Sequence, residues 1–226
     1  VPSVRSDHSL DPLWGELARI GRLSWRERRL RALGYSRIAG VDEAGRGCFA
    51  GPVVAAAVIL PFDAPVLGVD DSKKLDPEAR ERVARWIRAT GASIGVGIVG
   101  ADFIDVENIL EASKQAMMDA IAALPERPDA VLVDAVNLPR LTVPVLPLIR
   151  GDSLVASIAA ASIIAKTTRD ALMDELHREY PWYGFSSNRG YGTPDHREAI
   201  RRHGPTPIHR LTFRGVVPSR PQALAF

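Results

Sequence analysis

Short, continuous apolar runs along this chain alternate with longer stretches in which apolar residues recur every three to four positions, a pattern that predicts a sheet flanked by helices. Ile38, Ala39 and Val41 read as a buried strand leading into a glycine-rich turn. Gly51 to Leu60 (GPVVAAAVIL) follows as a β-branched run suited to a central strand covered on both faces, and it is expected to pair with the strand before it. Ala92 to Gly100 (ASIGVGIVG) reads as a third strand and Asp129 to Asp134 (DAVLVD) as a fourth. Thr142 to Ile149 reads as a fifth, which Pro144 and Pro147 place at an edge or make irregular.

Helical periods fill the intervals. Asp11 and Pro12 open a first helix with Leu13, Leu17 and Ile20 on one side, and Ser24 begins a second segment closed by Gly34, with Arg26, Arg28, Arg29 and Arg31 as its wet face. Pro61 to Pro65 breaks the pattern, and Asp76 with Pro77 then starts a helix whose inward residues are Val83, Trp86 and Ile87. Ala101 to Leu124 reads as one helix with a small-residue stripe at Ile109, Ala112, Ala116 and Ala120. Gly151 and Asp152 open the long stretch LVASIAAASIIAKTTRDALMDELHREY. Alternation of strand and helix from Gly91 onward predicts parallel pairing there, whereas the first three strands, joined partly without helices, predict a meander. The expected architecture is a mixed α/β sheet with helices around it.

At 226 residues, with 46% hydrophobic and 25% charged, the chain has the size and composition of one large globular domain or one domain with an appendage. Its single cysteine, Cys48, excludes an internal disulfide and a multi-cysteine zinc site, which suits a reducing, cytoplasmic location. No run is long and apolar enough to span a membrane, and the opening VPSVRSDHSL lacks the apolar core of a signal peptide. The net charge of +2 is unevenly spread: from residue 181 to the end there are seven Arg and two acids, interleaved with Trp182, Tyr183, Phe185 and Tyr191. Such a basic, aromatic end suits a nucleic-acid backbone, although a solvated helix face accounts for the charge alone equally well.

Candidate chemistry centres on IAGVDEAGRGCFAG, residues 38–51, where two carboxylates and an arginine stand beside glycines. Burying Asp42 at a strand end costs several kcal/mol unless it is paired or holds a cation. Gly45 and Gly47 allow backbone angles closed to other residues, so N–H groups can press against a phosphate, and Arg46 adds charge. Asp134 ends the fourth strand, and Asp152 sits at a helix start, where taken alone it reads as an N-cap; with Asp42 and Glu43 at the end of the first strand, four acids occupy places that converging strand ends could bring together. Glu43 joins Asp42 only where the backbone turns, since neighbours on a strand face opposite ways. Carboxylates without His or Cys favour hard cations such as Mg²⁺ or Mn²⁺, and two such ions can clamp an in-line displacement at phosphorus.

Other readings are weaker. Asp170 lies about 27 Å along a straight helix from Asp152 and is expected to pair with Lys166 or Arg169. Gly95, Gly97 and Gly100 match the spacing of a dinucleotide-binding fingerprint, but apolar residues run through them instead of stopping before them. The paired lysines of DDSKKL, Lys73 among them, could reach a phosphate or form a solvated charge cluster, and His196 and His203 are expected to face solvent on a basic helix, where His196 near Tyr191 could touch a phosphate.

The segments GVDEAGRG, DDSKKL, VLVDA, RGDSLVASIAAASIIAKTTRD, YGFSSNRGYGT and IHRLTF, in this order and spacing, resemble bacterial ribonuclease HII over most of the chain beyond Ser36. The resemblance implies a ribonuclease H-like fold: a five-stranded mixed sheet flanked by helices, with a helical C-terminal extension. Residues 1–35 would then be an N-terminal helical segment, 36–180 the catalytic core and 181–226 the basic extension. It further implies Mg²⁺- or Mn²⁺-dependent cleavage of RNA in RNA–DNA hybrids, and cutting 5′ of single ribonucleotides in duplex DNA, leaving 3′-hydroxyl and 5′-phosphate ends. Asp42, Glu43, Asp134 and Asp152 match the metal-binding acids, Gly45, Arg46 and Gly47 the loop around the ribonucleotide, and Tyr191 the tyrosine that stacks on the sugar at the RNA–DNA junction. Asn188 and Arg189 stand where many members have His and Lys, and Leu211-Thr212 replaces a frequent Arg-Ser. The terminal QALAF faintly resembles a sliding-clamp-binding tail. Ribonuclease HIII usually has lysine in the glycine loop and a larger N-terminal domain, so Arg46 and the short N-terminal segment point away from it. From other classes, a nicotinamide-dependent dehydrogenase rests on Gly95 to Gly100 and a non-catalytic nucleic-acid-binding domain on the basic end.

Overall fold

The computed structural model describes residues 11–62 and 75–217. Lys73 and the QALAF tail lie outside the described residues, as does the side chain of Leu13. Five strands form one mixed sheet: β1 (Ile38–Ala44), β2 (Val53–Ile59), β3 (Ser93–Val99), β4 (Ala130–Asp134) and β5 (Val145–Leu148), in the order β3-β2-β1-β4-β5. The first three form an antiparallel meander, and β4 runs parallel to both β1 and β5, as the pattern of connections requires. Pro147 sits inside β5, which is an edge strand and so needs one ladder fewer.

Around the sheet lie α1 (Asp11–Leu23), α2 (Trp25–Ala32), α3 (Pro77–Ala89), α4 (Ala101–Glu107), α5 (Ile109–Ala122), α6 (Ala156–Glu179), α7 (Phe185–Asn188) and α8 (Pro194–His203). On one face, Ala112, Ala116 and Ala120 of α5 pack on Ala39, Val41, Ala55 and Val133. On the other, Ala156 to Ala165 of α6 pack on Ala56, Val58 and Ile87. Close approach explains the glycines of β3: a Cβ at Gly95 would stand 2.0 Å from the Ala120 carbonyl oxygen, and one at Gly97 2.0 Å from that of Ala116. They admit a helix backbone against the strand; both lie inside β3 and not at a turn, and only Gly100 stands at the junction with α4.

Three expectations are corrected. The helix expected from Ala101 to Leu124 is two, because Asn108 adopts φ 79° and its side chain accepts hydrogen bonds from Leu110 N–H (2.9 Å) and Glu111 N–H (3.2 Å), capping a new start. Asp152 does not open the long helix: it lies in a 3₁₀ turn, Gly151–Ser153, and α6 begins at Ala156 after Val155, without a side-chain cap of its own. Its first turn is served from afar, since Glu27 Oε1 accepts from Ser157 N–H at 2.8 Å. The arginine-rich α2 is accordingly only partly wet, with Arg31 donating to the Leu60 carbonyl and lying over the Phe62 ring.

The C-terminal extension has its own small core. Tyr183, Phe185, Ala199, Ile200 and Val216 gather around Phe49 and Ala50 of the glycine loop and Met173 of α6. This cluster ties the last fifth of the chain to the residues that follow β1.

Candidate active site

Parallel pairing of Val41 with Val133 sets the next residues, Asp42 and Asp134, side by side at the carboxyl ends of β1 and β4. Asp42 is buried, its Oδ1 accepts from Glu43 N–H at 2.8 Å, and Ser162 of α6 hydrogen-bonds the carboxylate. Burial pushes the Asp42 carboxyl well above its ordinary value, and the neighbouring charges of Glu43 and Asp134 push the same way. Glu43 is raised as well, chiefly by burial, with Arg46 drawing it down through an ion pair of 3.2 Å. Glu43 Oε2 is buried and has no hydrogen-bond partner.

Asp152 is brought in by the turn after β5. Gly151 N–H donates to Asp134 Oδ1 at 2.7 Å, and Asp152 follows, buried. A Cβ at Gly151 would meet the Ile158 side chain at 2.6 Å, so only glycine lets the turn lie this close. Ala135 and Arg150 adopt φ 50° and 58°, placing backbone strain beside both acids.

The charge field is shared, yet among the described residues no group of three or more His, Cys, Asp and Glu side chains is arranged to hold a metal ion. In chemistry, though not in present arrangement, Asp42, Glu43 and Asp134 suit a hard cation: their donors are carboxylate oxygens, their charges repel one another, and Glu43 Oε2 is buried without a partner.

The glycine loop is held by two arginines to which sequence reasoning gave no part in it. Arg169, buried on α6, donates to the carbonyls of Pro52 (2.9 Å), Arg189 (2.8 Å) and Ala50 (3.1 Å). Arg210, also buried, donates to Gly51 (3.1 and 2.9 Å) and Arg46 (2.9 Å). Gly45 has φ 97° and lies so close to Arg169 that a Cβ would stand 2.1 Å from its Nε. Gly47 has no positive φ; what it provides is a face without a side chain, 4.0 Å from the Tyr191 ring. A signal for Arg169 existed, because Ser162, Ala165, Arg169 and Met173 share one face at helical spacing and the others on it are buried.

Tyr191 is 47% exposed, with its ring edge beside Gly47 of the loop. Asn188 is occupied as a turn bracket, donating to the Tyr183 carbonyl and accepting from Gly190 N–H. Arg189 folds back on α6, where it reaches the Asp170 carbonyl and pairs with Asp174 at 2.5 Å. Asp170 pairs with Lys166, as expected, and also with Arg80 at 3.6 Å. The structure therefore brings Asp42, Glu43 and Asp134 together, with Asp152 on the turn bonded to Asp134, Arg46 on Glu43 and Gly47 beside Tyr191, while Asn188 brackets a turn and Arg189 pairs with Asp174. His196 is the clearest departure: expected to face solvent, it is fully buried beneath Tyr191, whereas His203 stacks on Trp182 at the surface.

Comparison with known proteins places this arrangement. The model of the family Ribonuclease HII matches residues 39–216. Ribonuclease HII of Geobacillus kaustophilus is 55% identical over 206 residues, covering 91% of this chain and 76% of the relative. In the PCNA:RNase HII complex from Archaeoglobus fulgidus, the similar chain is 28% identical with a TM-score of 0.69, over 83% of this chain and 98% of that one. Bst-RNase HIII in complex with Mn²⁺ is 25% identical with a TM-score of 0.64, over 82% of this chain and 70% of that one. The ribonuclease H-like fold is common to them. A family match running from β1 to the end of the described residues, together with a relative identical at more than half of its aligned positions, admits one assignment: the chain belongs to the ribonuclease HII family.

Proposed function

We propose that this chain is an endoribonuclease that cleaves the RNA strand of RNA–DNA hybrids and cuts 5′ of single ribonucleotides embedded in duplex DNA by a two-metal-ion mechanism, leaving 3′-hydroxyl and 5′-phosphate ends. The observation that carries the reading is the placing of Asp42 near Asp134, one residue beyond the Val41–Val133 pair, beside Glu43, whose buried oxygen has no partner. Asp42, Glu43, Asp134 and Asp152 would hold Mg²⁺ or Mn²⁺, and the Mn²⁺ of the Bst-RNase HIII structure supports a divalent ion in this fold. Bound there, such ions lower the pKa of an attacking water and stabilise a leaving oxygen.

The chain's own residues supply position. Gly47 exposes loop backbone without a side chain, so a nucleic-acid sugar can approach it closely, while buried Gly45 lets Arg169 brace the loop and Arg46 offers a half-exposed cation at the rim. Tyr191, half-exposed, would stack on a sugar, and Lys73 would reach a phosphate from the segment before α3. The PCNA:RNase HII complex supports reading QALAF as a clamp-binding tail; deleting it should abolish co-elution with a sliding clamp.

Defined duplexes carrying zero, one or four ribonucleotides, incubated with each cation in turn, test the reading. Cutting is expected only where ribonucleotides are present and only with a divalent ion. Tyr191→Phe should keep most activity on the one-ribonucleotide duplex and Tyr191→Ala should lose it; equal rates for the two variants would remove the stacking role.

A further inference from the structure

Behind Tyr191 two fully buried imidazoles stand end to end. His196 Nε2 and His209 Nε2 are 3.1 Å apart, His196 Nδ1 is 2.8 Å from the Tyr191 carbonyl oxygen, and His209 Nδ1 is 2.9 Å from Thr206 N and 2.8 Å from Thr206 Oγ1. One donor in this chain is unambiguous. The backbone N–H of Thr206 can only donate, so His209 Nδ1 must be the unprotonated, accepting nitrogen. A neutral His209 then carries its proton on Nε2 and donates it to His196 Nε2. That leaves His196 with its proton on Nδ1, pointing at a carbonyl that can only accept. Every ring nitrogen is satisfied, and the order of protons is unique from Thr206 to Tyr191.

We propose that His196 and His209 are positioning residues for the ribonucleotide-recognising tyrosine, holding the Tyr191 backbone through a proton-ordered chain that exists only while both rings are neutral. The inference rests on the reading of Tyr191 as a substrate contact. Adding a proton to either ring puts N–H groups face to face at the Nε2 contact, or against Thr206 N–H, and the chain breaks. The surroundings resist that proton. Tyr183 lies over His209 at 4.9 Å between ring centroids, Phe185 and Phe49 flank His196, and Arg197, itself over Phe49, is the charged group facing His196 from its own helix. Burial lowers both rings, His209 to about 4, so the neutral pair persists at the pH where the nuclease would act.

Tyr191 O is the right point to hold. It also accepts from Thr193 N–H at 2.8 Å, so the histidine chain and the turn before α8 meet on one carbonyl. Gly190, next to it, receives Phe49 N–H at 2.8 Å, which links the same segment to the glycine loop. A shift of the Tyr191 backbone therefore changes how its ring faces Gly47.

Two measurements test this. Long-range ¹H–¹⁵N NMR of the full chain without substrate, at pH 7 and pH 6, should show His209 protonated on Nε2 and His196 on Nδ1, both rings neutral; reversed tautomers or an imidazolium at pH 6 would overturn the proposal. In cleavage assays, His196→Ala should lower kcat/KM on the one-ribonucleotide duplex about tenfold. His196→Asn places an amide donor where Nδ1 stood and should recover activity to within about threefold of wild type. Equal losses in the Ala and Asn variants would show that the ring merely fills space and would sink the positioning role. Failure of the underlying reading looks different: Tyr191→Ala would then cut the one-ribonucleotide duplex normally, with the tautomers unchanged.

Discussion

Asp42 illustrates how a single residue can serve chemistry at the expense of the fold. Its carboxylate is buried beside Glu43 and Asp134, and its folded pKa lies well above the ordinary 3.8. The folded state thus keeps a proton that the unfolded chain releases, so this group's contribution to stability is present at low pH and is lost as pH rises through the window above 3.8. At neutral pH Asp42→Asn should therefore melt higher than wild type without metal, while cleaving the one-ribonucleotide duplex about 10²–10³-fold more slowly. Adding Mn²⁺ should raise the melting temperature of wild type by mass action and that of the variant less. Thermal denaturation with and without the ion, alongside the cleavage assay, checks all three; a variant that melts lower and cuts normally would contradict the assignment. Asp42, Glu43 and Asp134 stand out in the sequence because each carboxylate closes an apolar run, Asp42 and Glu43 doing so just before a glycine-rich turn, although a strand end with a surface ion pair reads the same fragment equally well. Asp152 was harder, since its place in a 3₁₀ turn depends on Gly151 being admitted next to Ile158 and Asp134, a contact that no local pattern encodes.

Elements fit together here by close approach of backbones. At Gly97 a Cβ would meet the Ala116 carbonyl oxygen at 2.0 Å and Ala120 N at 2.8 Å, and backbone atoms of a helix cannot step aside as a side-chain tip can. Gly97→Ala should push α5 off β3 and lower the melting temperature by about 3–10 °C. Gly21 of α1 provides the contrast, because a Cβ there would meet nothing within 4 Å and alanine favours a helix; Gly21→Ala should be neutral or slightly stabilising. Differential scanning calorimetry of the two variants separates these cases, and similar shifts would refute the packing argument. The glycines of β3 share the spacing of a cofactor fingerprint, which shows how spacing alone misleads when the third dimension is missing. The break at Asn108 was legible in principle, as Asn followed three residues later by Glu111 is a helix-start signature inside an otherwise continuous period.

At the scale of the whole molecule, the C-terminal extension is docked on the core by groups far apart in the chain: Arg210 reaches Gly51 across 159 positions, and His196 and His209 meet behind Tyr191. Such contacts leave no periodic trace, so the basic end reads as a surface for nucleic acid when much of its charge is inward or paired. Arg210 is buried, and Arg201 and Arg202 both bind Glu198. The docking also sets a pH response. The folded pKa of His209 is lowered from 6.5 to about 4, so over that window the unfolded chain binds a proton that the folded chain excludes. Its contribution to stability is present above 6.5 and lost as pH falls towards 4, opposite in sign to that of Asp42. The two effects overlap in wild type and must be separated by substitution. His209→Gln keeps an amide near Nε2 but cannot take up the proton. Its melting temperature should lie below wild type at pH 7, where the intact histidine chain still holds the extension, and the gap should narrow steadily at pH 6, 5 and 4. A gap that stays constant across that series would mean that His209 does not titrate on unfolding, and that the extension is held by its arginines and its apolar cluster alone.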